Sequence, residues 1–547
     1  MQRMGRRRGE RSANGLMIER REVLKWAAGG LAAGLRATMP AGLSLPALAG
    51  ETPPTPLPEP MAPEPPRGFP LGEPHAFDPA DVAAKARNLA KQPYRPLPAD
   101  CPDVFRNLGY EQYASIRQKP GTAIWANENV GFALEPLHRG FIFANPVEIL
   151  LVNQGEARRI GYDPALYDFG AITPPGNLGD IGFSGFRVLD RDGAGRLREL
   201  AIFQGASFFR AVARGQTPGI MARALSIKTG DPRGEEFPAI RTIWIERPLL
   251  ASHALILHAL IDSESVTGAY RFTIRPGEAT LIDTECTLFA RQSVDNFGLA
   301  TMSATHLFGD IDRRRADDLR PNVNEVSGLQ MLTGQSEWIW RPVSNRDTLQ
   351  ISTFVDENPR GFGFLQRERD FKHYQDDDQR WETRPSLWIE PIGEWGKGVV
   401  QLLEIPSESE VNDNIMAFWK PRQPLVPGSE ATFAYRQFWC WYPPERPALA
   451  TATLSRHGRG PTARQRRFIV EFTGETIASR NADEIKPNLT ATPGSISSVR
   501  TFVSTERKSC RVLFDLDTGG ESFSELRLVI EAAGAPISET WLYRWTP

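Results

Sequence analysis

Along most of this chain apolar residues recur at every second position in short runs, separated by Gly, Pro and Asn. The runs Arg241–Arg247, Ala269–Ile274, Glu337–Arg341, Ser386–Glu390, Val399–Ile405 and Ala431–Tyr442 alternate in this way, and each spells a strand with one face turned to a core. Phe468–Phe472, Arg511–Leu516 and Glu525–Ile530 repeat the pattern, the last placing Leu526, Leu528 and Ile530 on one face. The clearest helix stands ahead of them. Asp78-Pro79 offers an N-cap and a first-turn proline, and Val82, Ala86 and Leu89 follow at helical spacing. The predicted fold is all-β, a large sandwich followed by a smaller one. Pro406 to Glu410 and Asn412-Asp413-Asn414 interrupt the strands with turn-forming residues, which puts the boundary there: 76–408 for the large sandwich and 409–547 for the small.

The first 49 residues break with this pattern. Arg3, Arg6, Arg7, Arg8 and Arg11 precede Arg20-Arg21, Lys25 and a small-residue apolar run from Trp26 to Leu35, and Ala47-Leu48-Ala49 is a small-x-small cleavage site. Residues 1–49 therefore read as a signal peptide of twin-arginine type, which sends the protein to the periplasm. The next stretch, 50–75, is dense in proline and reads as an extended tether, with order beginning near Phe77.

At 547 residues the chain is too long for one core, and its 41% hydrophobic and 24% charged content is that of a globular protein. The leader carries nine basic and three acidic side chains, so its removal takes the net charge from −2 to about −8. That argues against nucleic acid as a partner, and no further run is long enough to span a membrane. Cys101, Cys286, Cys440 and Cys510 form no Cys-x-x-Cys pair, and Cys440 and Cys510 are equally open to one disulfide or to free buried thiols. No histidine constellation points to a metal and no glycine-rich loop to a cofactor. The run Gln375–Glu382, with Asp376, Asp377 and Asp378, reads as a solvated loop. Thirteen tryptophans in an exported all-β protein suit carbohydrate, whose ring faces stack on indole, although most can equally be core.

Several blocks are more specific: Leu178-Gly179-Asp180-Ile181-Gly182-Phe183-Ser184-Gly185-Phe186, Gly205-Ala206-Ser207-Phe208-Phe209-Arg210, Gly234-Glu235-Glu236-Phe237-Pro238, Glu337-Trp338-Ile339-Trp340-Arg341-Pro342, Asn358-Pro359-Arg360-Gly361-Phe362-Gly363, Arg384-Pro385-Ser386 and Glu404-Ile405-Pro406. In this order they resemble the periplasmic glucan biosynthesis family of OpgG and OpgD (MdoG and MdoD), and the twin-arginine leader looks more like the OpgD branch. The resemblance implies a galactose mutarotase-like β-sandwich joined to an immunoglobulin-like one, with a glucan cleft at their junction. It implies work on β-1,2-glucan by an anomer-inverting mechanism, as hydrolase or transglycosylase, without metal or organic cofactor. The inner-membrane glucan synthase is the implied partner, and a homodimer is left open.

Inversion needs one carboxyl that gives a proton and one that activates the acceptor. The resemblance places the general acid at Asp413, although Asn-Asp-Asn is turn chemistry in any protein. The base position follows Arg320-Pro321 and reads Asn324-Glu325 where the family pattern has His-Asp. Glu325 keeps the carboxylate but is a methylene longer, and a displacement of ~1 Å can cost ~100-fold in rate. That change favours a sugar hydroxyl over water as acceptor, giving transfer or cyclisation. Substrate contacts are expected from Arg384 and Glu410, with Trp381 as a stacking surface. The competing reading is a glucan-binding scaffold without catalysis. An epimerase would rest on fold analogy alone.

Overall fold

The period-two runs pair into two large sheets that face each other across one core. The computed structural model describes residues 68–547 apart from 129, 193, 250–252 and 314–316, so the expected leader and residues 50–67 of the tether lie outside the described residues. Among the described residues one sheet has sixteen strands and the other ten. Leu257, Phe272, Ile282 and Trp439 from the first meet Phe203, Phe209, Met302 and Trp419 from the second in a single buried cluster. Each such side chain contributes about 1.5–3 kcal/mol by leaving water, so this core dominates the stability of the large sandwich. The protein is all-β, as the alternation predicts.

The predicted helix forms at Pro79–Ala90, with Asp78 Oδ1 accepting from the Ala80 N–H at 2.9 Å. Its buried Val82 and Ala86 pack on Leu150, Val152, Trp244 and Leu260, which covers part of the outer face of the sixteen-stranded sheet. Ordered packing begins earlier than Phe77. Phe69 is buried against Tyr167 and Phe183, and His75–Ala76 pairs with Glu156 and Ala157. Residues 68–75, assigned to the tether, thus belong to the sandwich, because an aromatic side chain in that stretch finds an apolar site.

The strands Ile415–Pro421 and Glu430–Cys440 correct the boundary at 409. The first lies between Lys397–Glu404 and Phe297–Ala304 in the ten-stranded sheet, and the second between Thr280–Ala290 and Ser386–Ile392 in the sixteen-stranded sheet. Residues 405–414 are therefore a loop joining neighbouring strands of one sheet, and the small sandwich starts after Cys440. Its four-stranded sheet, Thr451–Arg459, Gln465–Thr473, Ser509–Asp517 and Ser495–Ser504, covers Ile485–Thr492, Ser524–Ala532 and Thr540–Trp545 around Phe468, Phe472, Phe514, Leu528 and Trp541.

Those last three strands extend the sixteen-stranded sheet, because Ile339 and Trp340 pair in parallel with Thr540 and Trp541. Fully buried Glu539 is satisfied at this seam by Arg367 at 2.7 and 2.9 Å, Gln330 at 3.0 Å and the Ala452 N–H at 2.8 Å. A charge so completely paired tolerates burial, and the seam joins the two sandwiches firmly. All four cysteines are buried and free. Cys440 ends a strand of the large sandwich and Cys510 lies in one of the small, so the disulfide considered for them is not formed.

Candidate active site

The strand Phe297–Ala304 runs through the middle of the ten-stranded sheet, between Met221–Arg223 and Ile415–Pro421, and is buried on both faces. Ala300 has φ +49° where the register against Ile415–Pro421 shifts. Such a bulge resets which side chains face which way. Beyond it Met302 and Ala304 enter the apolar core, while Thr301, Ser303 and Thr305 alternate with them. This row of hydroxyl residues is the base on which the site is built.

Ser303 Oγ donates to Asp413 Oδ2 at 2.7 Å. Two residues on, the Thr305 N–H donates to Glu325 Oε2 at 3.1 Å, and the single Thr305 hydroxyl hydrogen is shared between the carbonyls of Glu410 at 3.1 Å and Asn412 at 3.0 Å. One extended segment therefore anchors both carboxyls predicted from sequence. Asn414 locks the loop from the other side: Oδ1 accepts from the His306 N–H at 2.8 Å, while Nδ2 donates to the His306 and Ile405 carbonyls. The turn chemistry of Asn412-Asp413-Asn414 is thus real, and it is what holds Asp413 in place.

Glu325 follows the short strand Val323–Asn324, which pairs with His306–Phe308. Its Oε1 accepts from Arg384 Nη1. Arg384 also reaches Gln379 Oε1 at 2.7 Å and lies 4.2 Å from the centre of the Trp381 ring. Trp381 is only 2% exposed, packed among Phe308, Val323 and Tyr374, and its Nε1 donates to Asp376 Oδ2 at 2.9 Å. The expected stacking surface for sugar is therefore occupied by Arg384, and Trp381 supports that guanidinium instead. Asp376 corrects the reading of 375–382 as a solvated loop: it is buried between Trp381 and Arg320, while Asp377 and Asp378 remain exposed.

Arg320 joins three segments, donating to Asp318 at 2.7 Å, Asp376 at 2.8 Å and Glu410 at 2.6 Å. Glu410, half-buried, thus belongs to an ion-pair cluster that ties the 405–414 loop to the segments of Asp318 and Asp376. Sequence reasoning missed Ser303, Asp376 and the bonding of Arg320. It missed Arg223 as well, which is buried 2.5 Å from Glu235 and lies over the ring of Phe208. The alternation Thr301-Met302-Ser303-Ala304-Thr305 was the available signal for Ser303, since hydroxyls repeated through a buried strand need partners. Asn324 donates to the Phe308 carbonyl at 3.1 Å and so serves the backbone near Glu325.

The two carboxyls differ electrostatically. Asp413 is pushed up to about 7, first by burial and then by the charge of Glu325, against the Ser303 hydrogen bond and the charges of Arg223 and Arg384. Burial also raises Glu325, but there the Arg384 charge, the Thr305 N–H and the Arg384 hydrogen bond act directly against it. Among the described residues no group of three or more His, Cys, Asp and Glu side chains is placed to hold a metal ion.

A buried pair of unequal carboxyls on a two-sandwich β scaffold is an arrangement suited to acid–base work on a neutral substrate. Residues 77–545 match the family described as "Periplasmic glucan biosynthesis protein, MdoG", and the chain belongs to that family. It is 42% identical over 477 residues to a glucans biosynthesis protein G of Vibrio cholerae, covering 86% of this chain and 87% of the relative. The protein of the same name from Bradyrhizobium diazoefficiens is 41% identical, covering 86% and 94%, and that of Rhodopseudomonas palustris 42%, covering 88% and 97%. These relatives carry the G name; the leader that pointed to the D branch lies outside the described residues.

Proposed function

We propose that the protein is a periplasmic enzyme of glucan biosynthesis that cleaves or transfers β-1,2-glucan with inversion at the anomeric carbon, Asp413 acting as general acid and Glu325 as general base. The observation that carries this reading is the unequal pair itself. Burial raises both carboxyls, Asp413 to about 7, but only at Glu325 do a directly bonded guanidinium and a peptide N–H oppose the rise, so the pair is biased toward the proton on Asp413.

Asp413 gives its proton to the glycosidic oxygen as the bond from C1 breaks and that oxygen takes the electron pair. A water or sugar hydroxyl forms the new bond to C1 from the opposite face and passes its proton to Glu325. Both oxygens of Glu325 already accept hydrogen bonds, from Arg384 and from the Thr305 N–H, which work against the rise that burial imposes on it. A sugar hydroxyl held beside C1 reacts through proximity, which favours transfer or cyclisation over hydrolysis. Arg384 and Glu410 are the proposed contacts to sugar hydroxyls. The substrate is the glucan chain as delivered by the inner-membrane synthase, and no helix among the described residues is long and apolar enough to cross a membrane.

One observation favours a second reading, a non-catalytic glucan-binding scaffold: Glu325 is 0% and Asp413 2% exposed. Catalysis then requires the loops at 371–384 and 405–414 to part. Incubating the purified protein with linear β-1,2-glucan, separating products by mass and following the anomer by NMR, decides between the two. Inverted products that disappear in Asp413→Asn establish the enzyme. Unchanged glucan that nevertheless stays bound establishes the scaffold.

A further inference from the structure

Which oxygen of a carboxylic acid carries the proton depends on what each oxygen meets, and the two oxygens of Asp413 meet different things. Oδ2 accepts from Ser303 Oγ at 2.7 Å, whereas Oδ1 is buried and has no hydrogen-bond partner among the described residues. Ser303 is fully buried and lies opposite Met221 on one side and Met416 on the other. Thioethers are weak acceptors, so little there competes for the Ser303 hydroxyl hydrogen.

The neighbouring hydroxyls are committed elsewhere, Thr301 to Ser226 Oγ at 2.7 Å and Thr305 to the carbonyls of Glu410 and Asn412. The charged groups that face Asp413 are Glu325, Arg223 and Arg384. They act on it through space. Arg223 directs its donors to Glu235 and the Met416 sulfur, and Arg384 directs its own to Glu325 and Gln379.

We propose that Ser303 is the positioning residue of the acid: by donating to Oδ2 it reserves that oxygen as an acceptor and makes Oδ1 the atom that carries and delivers the proton. The inference rests on the reading of Asp413 as general acid. It extends that reading from a residue to an atom and to a partner on the strand Phe297–Ala304. When Oδ1–H gives its proton to the leaving oxygen, the Ser303 bond stays in place and becomes charge-assisted, which stabilises the carboxylate just formed. Ser303 thereby draws Asp413 down from the level that burial and Glu325 alone would impose.

The test uses the whole protein with Ser303→Ala and with Ser303→Cys, which keeps the volume of the buried site but donates weakly. The Asp413 carboxyl carbon, assigned by its absence in Asp413→Asn, is titrated by carbon-13 NMR. The rate on linear β-1,2-glucan is measured across the same pH range. The titration midpoint is expected to rise by about one unit in Ser303→Ala and by less in Ser303→Cys. The alkaline limb of the rate is expected to move up with it, while the plateau rate falls about tenfold because the proton is no longer confined to one oxygen. A midpoint that is unchanged or lowered in either folded variant overturns the inference. Full activity in Asp413→Asn overturns the acid assignment instead, and the NMR midpoint tells the two failures apart because it does not depend on turnover.

Discussion

Asp413 and Glu325 hang from neighbouring points of one extended segment and are both cut off from solvent, yet their surroundings differ in kind. Glu325 meets a guanidinium and a peptide N–H directly. Asp413 meets one hydroxyl, and the nearby cations reach it only through space. Burial penalises charge at both places, and only at Glu325 do direct donors with positive charge oppose it. The same functional group thus meets direct opposition to the effect of burial at one end of a site and little at the other.

The most severe way to break the contrast is to remove the proton. Asp413→Asn is expected to lower the rate on linear β-1,2-glucan about 10³-fold with glucan binding retained, as product analysis and calorimetry will show. Removing the cation comes next. Arg384→Met leaves Glu325 buried without its partner and is expected to cost about 3–5 kcal/mol in denaturant unfolding. Adding Glu325→Gln should recover much of that loss, and an unchanged midpoint in Arg384→Met would show that Glu325 is not charged.

A third effect follows from linkage. Folded Asp413 keeps its proton up to about pH 7, whereas in the unfolded chain it ionises near pH 4. Between those values the folded state binds the extra proton, so raising the pH through this window lowers stability, with no further loss above it. Burial of Glu325 contributes in the same sense. Asp413→Asn lacks its part of this slope, so melting temperatures of the variant and the parent should diverge in the variant's favour from pH 4 to pH 7 and run parallel beyond. The smallest effect belongs to Trp381→Phe. It keeps a ring under Arg384 but loses the bond to Asp376, and about 1 kcal/mol in unfolding is expected. A loss of glucan affinity with unchanged stability would instead restore Trp381 as a sugar contact.

Local pattern made much of the fold legible. Ala269–Ile274 and Ala431–Tyr442 alternate because one face of each must leave water, and Asp78-Pro79 starts a helix because its side chain caps the first free N–H. The boundary drawn at 409 failed for an equally local reason. Turn residues mark where a strand stops, whether the chain then enters a new sandwich or the next strand of the same sheet. Asp413 and Glu325 are proposed from a family resemblance and lie against one extended segment, whereas Asp376 reads as solvated and is buried. A tryptophan beside an arginine in an acidic stretch looks the same whether it faces solvent or Phe308, Val323 and Tyr374.

The sequence by itself thus determined an all-β chain and its main strands and helix, and it put forward two carboxyls as candidates. Only the tertiary structure decided that Ser303 lies against one of them and Arg384 against the other. Those contacts join residues 110 and 59 positions apart in the chain. Period-two patterning states which face of a strand is buried, but not which distant side chain will share that burial. The proton state of a carboxyl depends on that neighbour.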